Sequence, residues 1–248
     1  MHMLTVEGDD VLLNNVNVRM YDANNGDGID YDGKGLTVVN SFFDTGDDAI
    51  NFSAGIGKKA TALPPVSDTW LFNHYVAHGH GGIVLGSHTA SWVENMLAED
   101  NVFNKTEISL RCKTGQGVGG GRNVTFRHNV AKDMKRQGII FTTAYTDVNA
   151  VGSFEPADPG QFHDILVEDC AVDGTGKAAI EIDGLPEMPH RSITFRNIRF
   201  TRTHENIDAQ AFCCVCLQHL LMQSQSFVCP RLKIKRDGSL TVFAEVVK

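Results

Sequence analysis

Residues 25–52 read NGDGIDYDGKGLTVVNSFFDTGDDAINF, and this stretch holds one pattern written twice. The first copy is Asp27-Gly28-Ile29-Asp30-Tyr31 and the second is Asp48-Ala49-Ile50-Asn51-Phe52. In each, a carboxylate stands two residues before an apolar–polar–apolar triplet. Between the copies runs a β-branched segment, Leu36-Thr37-Val38-Val39, closed by Asn40. A short unit repeated at this period implies a solenoid, one rung stacked on the next. Matched positions in a parallel stack lie about 4.8 Å apart, so Asp27 is expected against Asp48, with Asp47 one residue away. Three acids gathered on one surface are costly to hold ionised together. A chain that needed only solubility would spread them out.

Outward from this stretch the pattern continues. The run Val11-Leu12-Leu13-Asn14-Asn15-Val16-Asn17-Val18 has a polar pair inside a β-rich segment. The same shape returns around Asn40, Asn73, Asp100, His128, Asp169 and Asn197. Asn and Asp suit corners that need left-handed backbone or side-chain capping, and stacked corners form hydrogen-bonded ladders. A second strand set follows the corners: Ile29-x-Tyr31, Ile50-x-Phe52, Ile83-x-Leu85, Ile108-x-Leu110, Ile139-x-Phe141 and Ile180-x-Ile182. Its alternation predicts one continuous sheet with the apolar residues inward. Short β runs, polar corners and glycines together predict an all-β, right-handed parallel β-helix. We assign it to residues 1–208, with 209–248 as an irregular tail or cap where the repeat stops. Only a turn or so precedes the first acid, so amino-terminal turns are expected to be missing. Two segments, 54–67 and 145–162, interrupt the repeat and are either walls of a binding groove or tolerated surface insertions.

Bulk properties narrow the function. Apolar content of 42% suffices for a core, and no apolar run is long enough for a membrane span. A net charge of -8 without a basic patch argues against nucleic acid. No signal peptide is visible at the start. Of six cysteines, four crowd the last fifth at spacings that fit zinc poorly.

Aligned on the second strand set, Asp27 and Asp48 both stand two before the apolar residue, and Asp47 and His80 both stand three before it. Arg111 and Lys113 follow Ile108 on the next rung. Acids, a histidine and two cations therefore converge on one groove. Glycoside cleavage needs one carboxyl to protonate the leaving oxygen and another to activate water or attack carbon. Crowding keeps one proton available near neutral pH, and Arg can grip a substrate carboxylate bidentately. Taken singly, each feature has a plain reading: paired Asp as turn chemistry, Gly-His-Gly as a bend, Arg-x-Lys as a solvated face. The acids alone would also suit Ca²⁺, which His80 and the basic pair fit poorly.

Asn25-Gly26-Asp27-Gly28, Gly46-Asp47-Asp48, Gly79-His80-Gly81 and Arg111-Cys112-Lys113 resemble, in order, the four motifs of the polygalacturonase family, glycoside hydrolase family 28. The departures are Gly26 where Thr is common and Cys112 where an aliphatic residue is common. The resemblance covers roughly residues 12–202. It implies a β-helix that hydrolyses α-1,4-galacturonosyl bonds with inversion, without metal or cofactor. It implies that Asp47 is the general acid, Asp27 and Asp48 activate water, His80 supports the acid, and Arg111 and Lys113 bind the substrate carboxylate. The expected partner is a pectic polysaccharide or oligogalacturonide. A monomer working in an extracellular or periplasmic setting is expected, with the 54–67 insertion pointing to attack from the chain end. The alternatives are a calcium-dependent pectate lyase-like enzyme and an inactive or carbohydrate-binding β-helix.

Overall fold

In a computed structural model of the chain, the described residues are 4–21, 23–115, 119–145, 159–210, 213–218, 221–222, 227–228 and 240–242. Side chains are described as far as Asp208, Asn206 excepted. The chain coils through three faces. The first carries Leu12–Asn14, Thr37–Val39, Val66–Phe72, Val93–Glu99, Gly120–Arg127, Gln161–Glu168 and His190–Arg196. The second carries Asn17–Met20, Phe42–Thr45, Tyr75–His78, Val102–Asn104 and Val130–Met134. The third carries Leu4–Glu7, Ile29–Asp32, Ile50–Phe52, Gly81–Leu85, Ile108–Lys113 and Ile139–Thr142. The long strands Ala171–Asp183 and Arg199–Gln210 run across the second and third faces without a break. All these strands pair in parallel, and the coil is a right-handed parallel β-helix.

Hydrophobic stacking along the axis holds the coil together. On the third face Ile29, Ile50, Ile83, Leu110, Ile139 and Ile180 are in register and essentially buried. Tyr31, Phe52, Leu85, Cys112, Phe141 and Ile182 form the neighbouring column. Each such side chain contributes about 1.5–3 kcal/mol by leaving water. One column differs from the sequence alignment. Leu110, not Ile108, pairs with Ile83, and Ile108 sits beside Gly81. A slip of two residues preserves the inward face because strand side chains alternate with period two.

The corner between the first two faces follows the expectation. Asn15, Asn40, Asn73, Asp100, His128, Asp169 and Asn197 all have φ between 51° and 60°. Their side chains ladder outside, with Asn40 Nδ2 donating to Asn14 Oδ1 at 3.2 Å and Asn73 Nδ2 to Asn40 Oδ1 at 2.8 Å. One residue further on, a buried ladder runs beneath. Asn101 donates to Asn129 Oδ1 from both its backbone N (2.9 Å) and its Nδ2 (3.0 Å). Asn101 Oδ1 in turn accepts from His74 N at 2.9 Å. A second left-handed series was not read from the sequence. Asp68, Asn95, Asn123, Asp164 and Ser192, at φ 51–58°, bend the first-face strands midway.

Parallel pairing continues past Gln210. Cys213–Gln218 pairs with His190–Arg196, and Leu221–Met222 and Phe227–Val228 pair with Arg199–Gln210. Leu240–Val242 then runs antiparallel to Cys213–Gln218. These strands lie in the segment expected as an irregular tail, most of whose other residues are outside the described ones. The 54–67 insertion contains a short helix, Gly57–Ala60, and the start of the strand Val66–Phe72. Its Leu63, Pro64 and Pro65 wall a cavity of about 560 Å³ with Asp32, Lys34, Asp68 and Glu94, and none of the six candidate site residues lines it. Of the 145–162 segment, residues 146–158 lie outside the described residues.

Candidate active site

Three successive turns of the third face meet just before their strands begin. Gly28 N donates to Asp48 O at 2.9 Å, Ala49 N to Gly81 O at 2.8 Å, and His80 N to Asp47 O at 2.9 Å. These backbone bonds fix Asp27, Asp47, Asp48 and His80 at neighbouring positions. Carboxylate oxygens of Asp27, Asp47 and Asp48 lie within 4.8 Å of one another. His80 Nδ1 is 2.9 Å from Asp47 Oδ1. Two turns along from Asp48, Lys113 Nζ donates to Asp48 Oδ2 at 2.9 Å and Arg111 Nη1 to Asp48 Oδ1 at 3.4 Å. All six residues singled out in the sequence therefore share one cluster.

Glycine makes this cluster possible. Arg111 and Lys113 reach Asp48 across the turn that holds Gly81. A β-carbon on Gly81 would lie 2.2 Å from Val84 Cγ2 and 2.9 Å from Asp48 Oδ1. The absence of a side chain leaves the gap through which the cations meet the acid. Gly26 has a similar reason for its departure from the usual motif. A β-carbon there would stand 2.5 Å from Ala23 O, while Gly26 O accepts from Gly46 N at 3.1 Å and Asp47 N at 3.3 Å. Cys112 points into the core and is fully buried, so it serves as an apolar filler.

The acids are in unlike environments. Burial alone would raise the Asp48 pKa, but the Lys113 ammonium and Arg111 guanidinium outweigh it and hold this carboxyl below the usual range. At Asp27 the charge of Lys113 acts too weakly to offset burial. Burial, followed by the charges of Asp30, Asp48 and Asp47, pushes it up to about 8. His80 is raised, first by its hydrogen bond to Asp47, against the opposing effect of burial, and then by the charges of Asp47, Glu107 and Asp48. The site thus combines a fixed carboxylate, a neutral carboxyl and an imidazole that favours its proton.

The sequence model described as glycosyl hydrolases family 28 matches residues 1–216. The chain belongs to glycosyl hydrolases family 28. Among its relatives, an exo-poly-α-D-galacturonosidase of Dickeya chrysanthemi is 38% identical over 206 residues, covering 80% of this chain and 34% of that protein. The solved structure of a family 28 exopolygalacturonase from Yersinia enterocolitica superposes with a TM-score of 0.74 at 38% identity, covering 90% of this chain and 43% of that one. An exopolygalacturonase structure from Thermotoga maritima has a TM-score of 0.79 at 24% identity, over 92% of this chain and 50% of that one, and supports the fold. The chain spans about a third to a half of the length of these three family relatives.

Within this family 28 cluster the structure adds residues that the sequence reading passed over. Tyr145 places its ring 5.8 Å from Arg111 Cζ and 5.2 Å from Lys113 Nζ, capping both cations. It begins an aperiodic segment, where repeat matching has no purchase. Asp30, the polar centre of the first triplet, accepts from Asn51 Nδ2 at 2.7 Å and extends the polar floor beside Asp27. Its pKa is raised, mainly by burial.

Proposed function

We propose that the chain hydrolyses α-1,4-galacturonosyl linkages in pectin or polygalacturonate by a single inverting displacement, from the chain end. The observation that carries this reading is the division of charge inside one cluster. Lys113 and Arg111 hold the Asp48 carboxyl below the usual range, burial pushes Asp27 up to about 8, and the hydrogen bond to Asp47 raises His80. Glycoside cleavage needs both a proton for the leaving oxygen and a carboxylate for water. Asp47 delivers the proton to the glycosidic oxygen, with His80 as its reservoir. Asp27 carries the proton and Asp48 the charge, so Asp48 takes the proton from the attacking water through a lone pair that its two cations leave open. Arg111 and Lys113, beside Tyr145, offer the positive charge that a uronate carboxylate requires.

Inversion is the finer part of the proposal. The oxygen spacing within 4.8 Å is shorter than the roughly 6.5–9.5 Å usual for inverting pairs. Its support here is the presence of three acids, two of which can cradle water from one side while the third protonates the leaving group. The anomer of the first-formed product, read by proton NMR before mutarotation, tests it. A β-anomer from the α-linked polymer supports inversion, and an α-anomer replaces it with a covalent intermediate. Attack from the chain end follows the naming of the Dickeya and Yersinia relatives. Release of only mono- or digalacturonate tests that part, and mixed oligomers overturn it. The proposal includes a monomer acting on wall pectin in an extracellular or periplasmic setting.

Calcium-assisted β-elimination is the rival chemistry. Both Asp48 oxygens already face a cation, which disfavours a hard ion on the same group. An ultraviolet-absorbing unsaturated product, lost with chelator, would favour elimination instead.

A further inference from the structure

A column of side chains continues past His80. Three residues before the inward positions Ile50, Ile83, Leu110 and Ile139 stand Asp47, His80, Glu107 and Arg136, one per turn. Backbone hydrogen bonds lock the column together. His80 N donates to Asp47 O at 2.9 Å, Ile108 N to His80 O at 3.2 Å, and Arg136 N to Glu107 O at 3.1 Å. Charge alternates along it. His80 Nδ1 is 2.9 Å from Asp47 Oδ1, and Arg136 Nη1 is 3.6 Å from Glu107 Oε2. Glu107 therefore occupies the turn beyond His80, on the side away from Asp47.

Alternating ladders occur elsewhere on this coil. Arg127 binds Glu99 and Arg196 binds Glu168 on the first face, away from the acid cluster. Such pairs, with the arginine partly in solvent, add little to stability. The Glu107 column differs because it ends on the acid cluster. The acidic groups acting on His80 are Asp47, Glu107 and Asp48, and the next cation along is Arg136. Two of those acids have other duties: Asp47 is the proposed proton donor, and Asp48 is occupied by Lys113 and Arg111. Among the described residues, Glu107 acts on His80 from the neighbouring turn without belonging to the cluster.

We propose that Glu107 is a positioning residue for the proton donor: from the turn opposite Asp47 it sustains the proton on the His80 imidazole and so keeps the Asp47–His80 pair loaded. Two coupled groups titrate as a pair. A carboxylate that raises the affinity of the pair for its proton extends proton donation to higher pH. This inference rests on reading Asp47 as the proton donor, but its test does not need turnover.

The test is an imidazole ¹⁵N NMR titration of His80 in the 248-residue chain, with the resonance assigned by loss in His80→Gln. Glu107→Gln is expected to weaken proton binding at His80 about threefold, the size of one partly exposed charge pair. Glu107→Asp should restore most of it. Arg136→Gln should move the titration the other way, because it removes a competing positive charge. The buried imidazoles of His74 and His190, both held low at about 4, report an intact fold if they stay unchanged. In an active chain the alkaline limb of the pH–rate profile moves down with Glu107→Gln by the same factor. An unchanged His80 titration in Glu107→Gln, or shifts of the same sign in the Glu107 and Arg136 variants, overturns the proposal. A chain with no turnover but the expected titrations contradicts the hydrolase reading and leaves this one standing.

Discussion

Lys113 Nζ lies 2.9 Å from Asp48 Oδ2, although 65 positions of sequence and two turns of the coil separate them. Both groups are almost fully buried. Removing one partner of such a pair leaves a charge in a dry site, which costs far more than an exposed ion pair contributes. Lys113→Met is expected to lose about 3 kcal/mol in urea unfolding at pH 7. The double variant Lys113→Met/Asp48→Asn should recover part of that loss, because the stranded charge is gone. Equal losses in the two would show that the lysine acts through packing alone.

Asp27 should make the chain less stable as pH rises. Its carboxyl has a folded pKa of about 8 against an unfolded value near 3.8. Between those values the folded state holds a proton that the unfolded state has lost, so stability falls with rising pH. Asp48 has the opposite sign: its folded pKa is depressed, and its contribution is lost as pH falls below about 4. Asp27→Asn mimics the protonated acid. It should flatten the decline between about pH 4 and pH 8 while abolishing turnover, as followed by urea midpoints and reducing-end release. A variant with the same slope as wild type would mean that Asp27 titrates normally.

Gly81 should tolerate no side chain without loss of function. Its β-carbon would press on Val84 and on Asp48 Oδ1, at 2.2 and 2.9 Å. Gly81→Ala is expected to keep the β-sheet circular dichroism signal, to lose about 1–3 kcal/mol by overpacking, and to lose most activity because Asp48 is pushed from its cations. Full activity in this variant would remove the gap from the account.

The buried asparagine ladder should carry more stability than the exposed one. Asn101 is fully buried, and its loss strands the His74 N–H. Asn101→Leu should cost about 2–3 kcal/mol. Asn40→Ala, which breaks an exposed rung of the outer ladder, should cost about 1 kcal/mol or less. Similar urea midpoints for both would show that burial does not set the cost.

Repeat patterning made most of the coil legible. The Asn and Asp corners announced themselves because only one residue per turn takes the left-handed conformation there, and its type is restricted. The second series, from Asp68 to Ser192, stayed hidden because it falls inside a strand, where a polar residue reads as ordinary outward alternation. The slip at Ile108 was hidden for a related reason: Ile108 and Leu110 are both apolar and share a face, so the pattern fits either register. At the site, Asp27, Asp48, Asp47 and His80 were readable because they repeat at fixed offsets. Tyr145 and Glu107 were not. Tyr145 lies in an aperiodic segment, and Glu107 looks like one more exposed acid until its turn is placed beside His80.

The most direct test of the acid cluster is turnover by this same chain on polygalacturonate, followed by reducing-end assay and ultraviolet absorbance together. Wild type is expected to release reducing ends with no unsaturated product, with chelator present or absent. Asp47→Asn should fall by at least about 10²-fold. Wild-type turnover that survives Asp47→Asn unchanged, or an absorbing product in place of a hydrolytic one, would contradict the account.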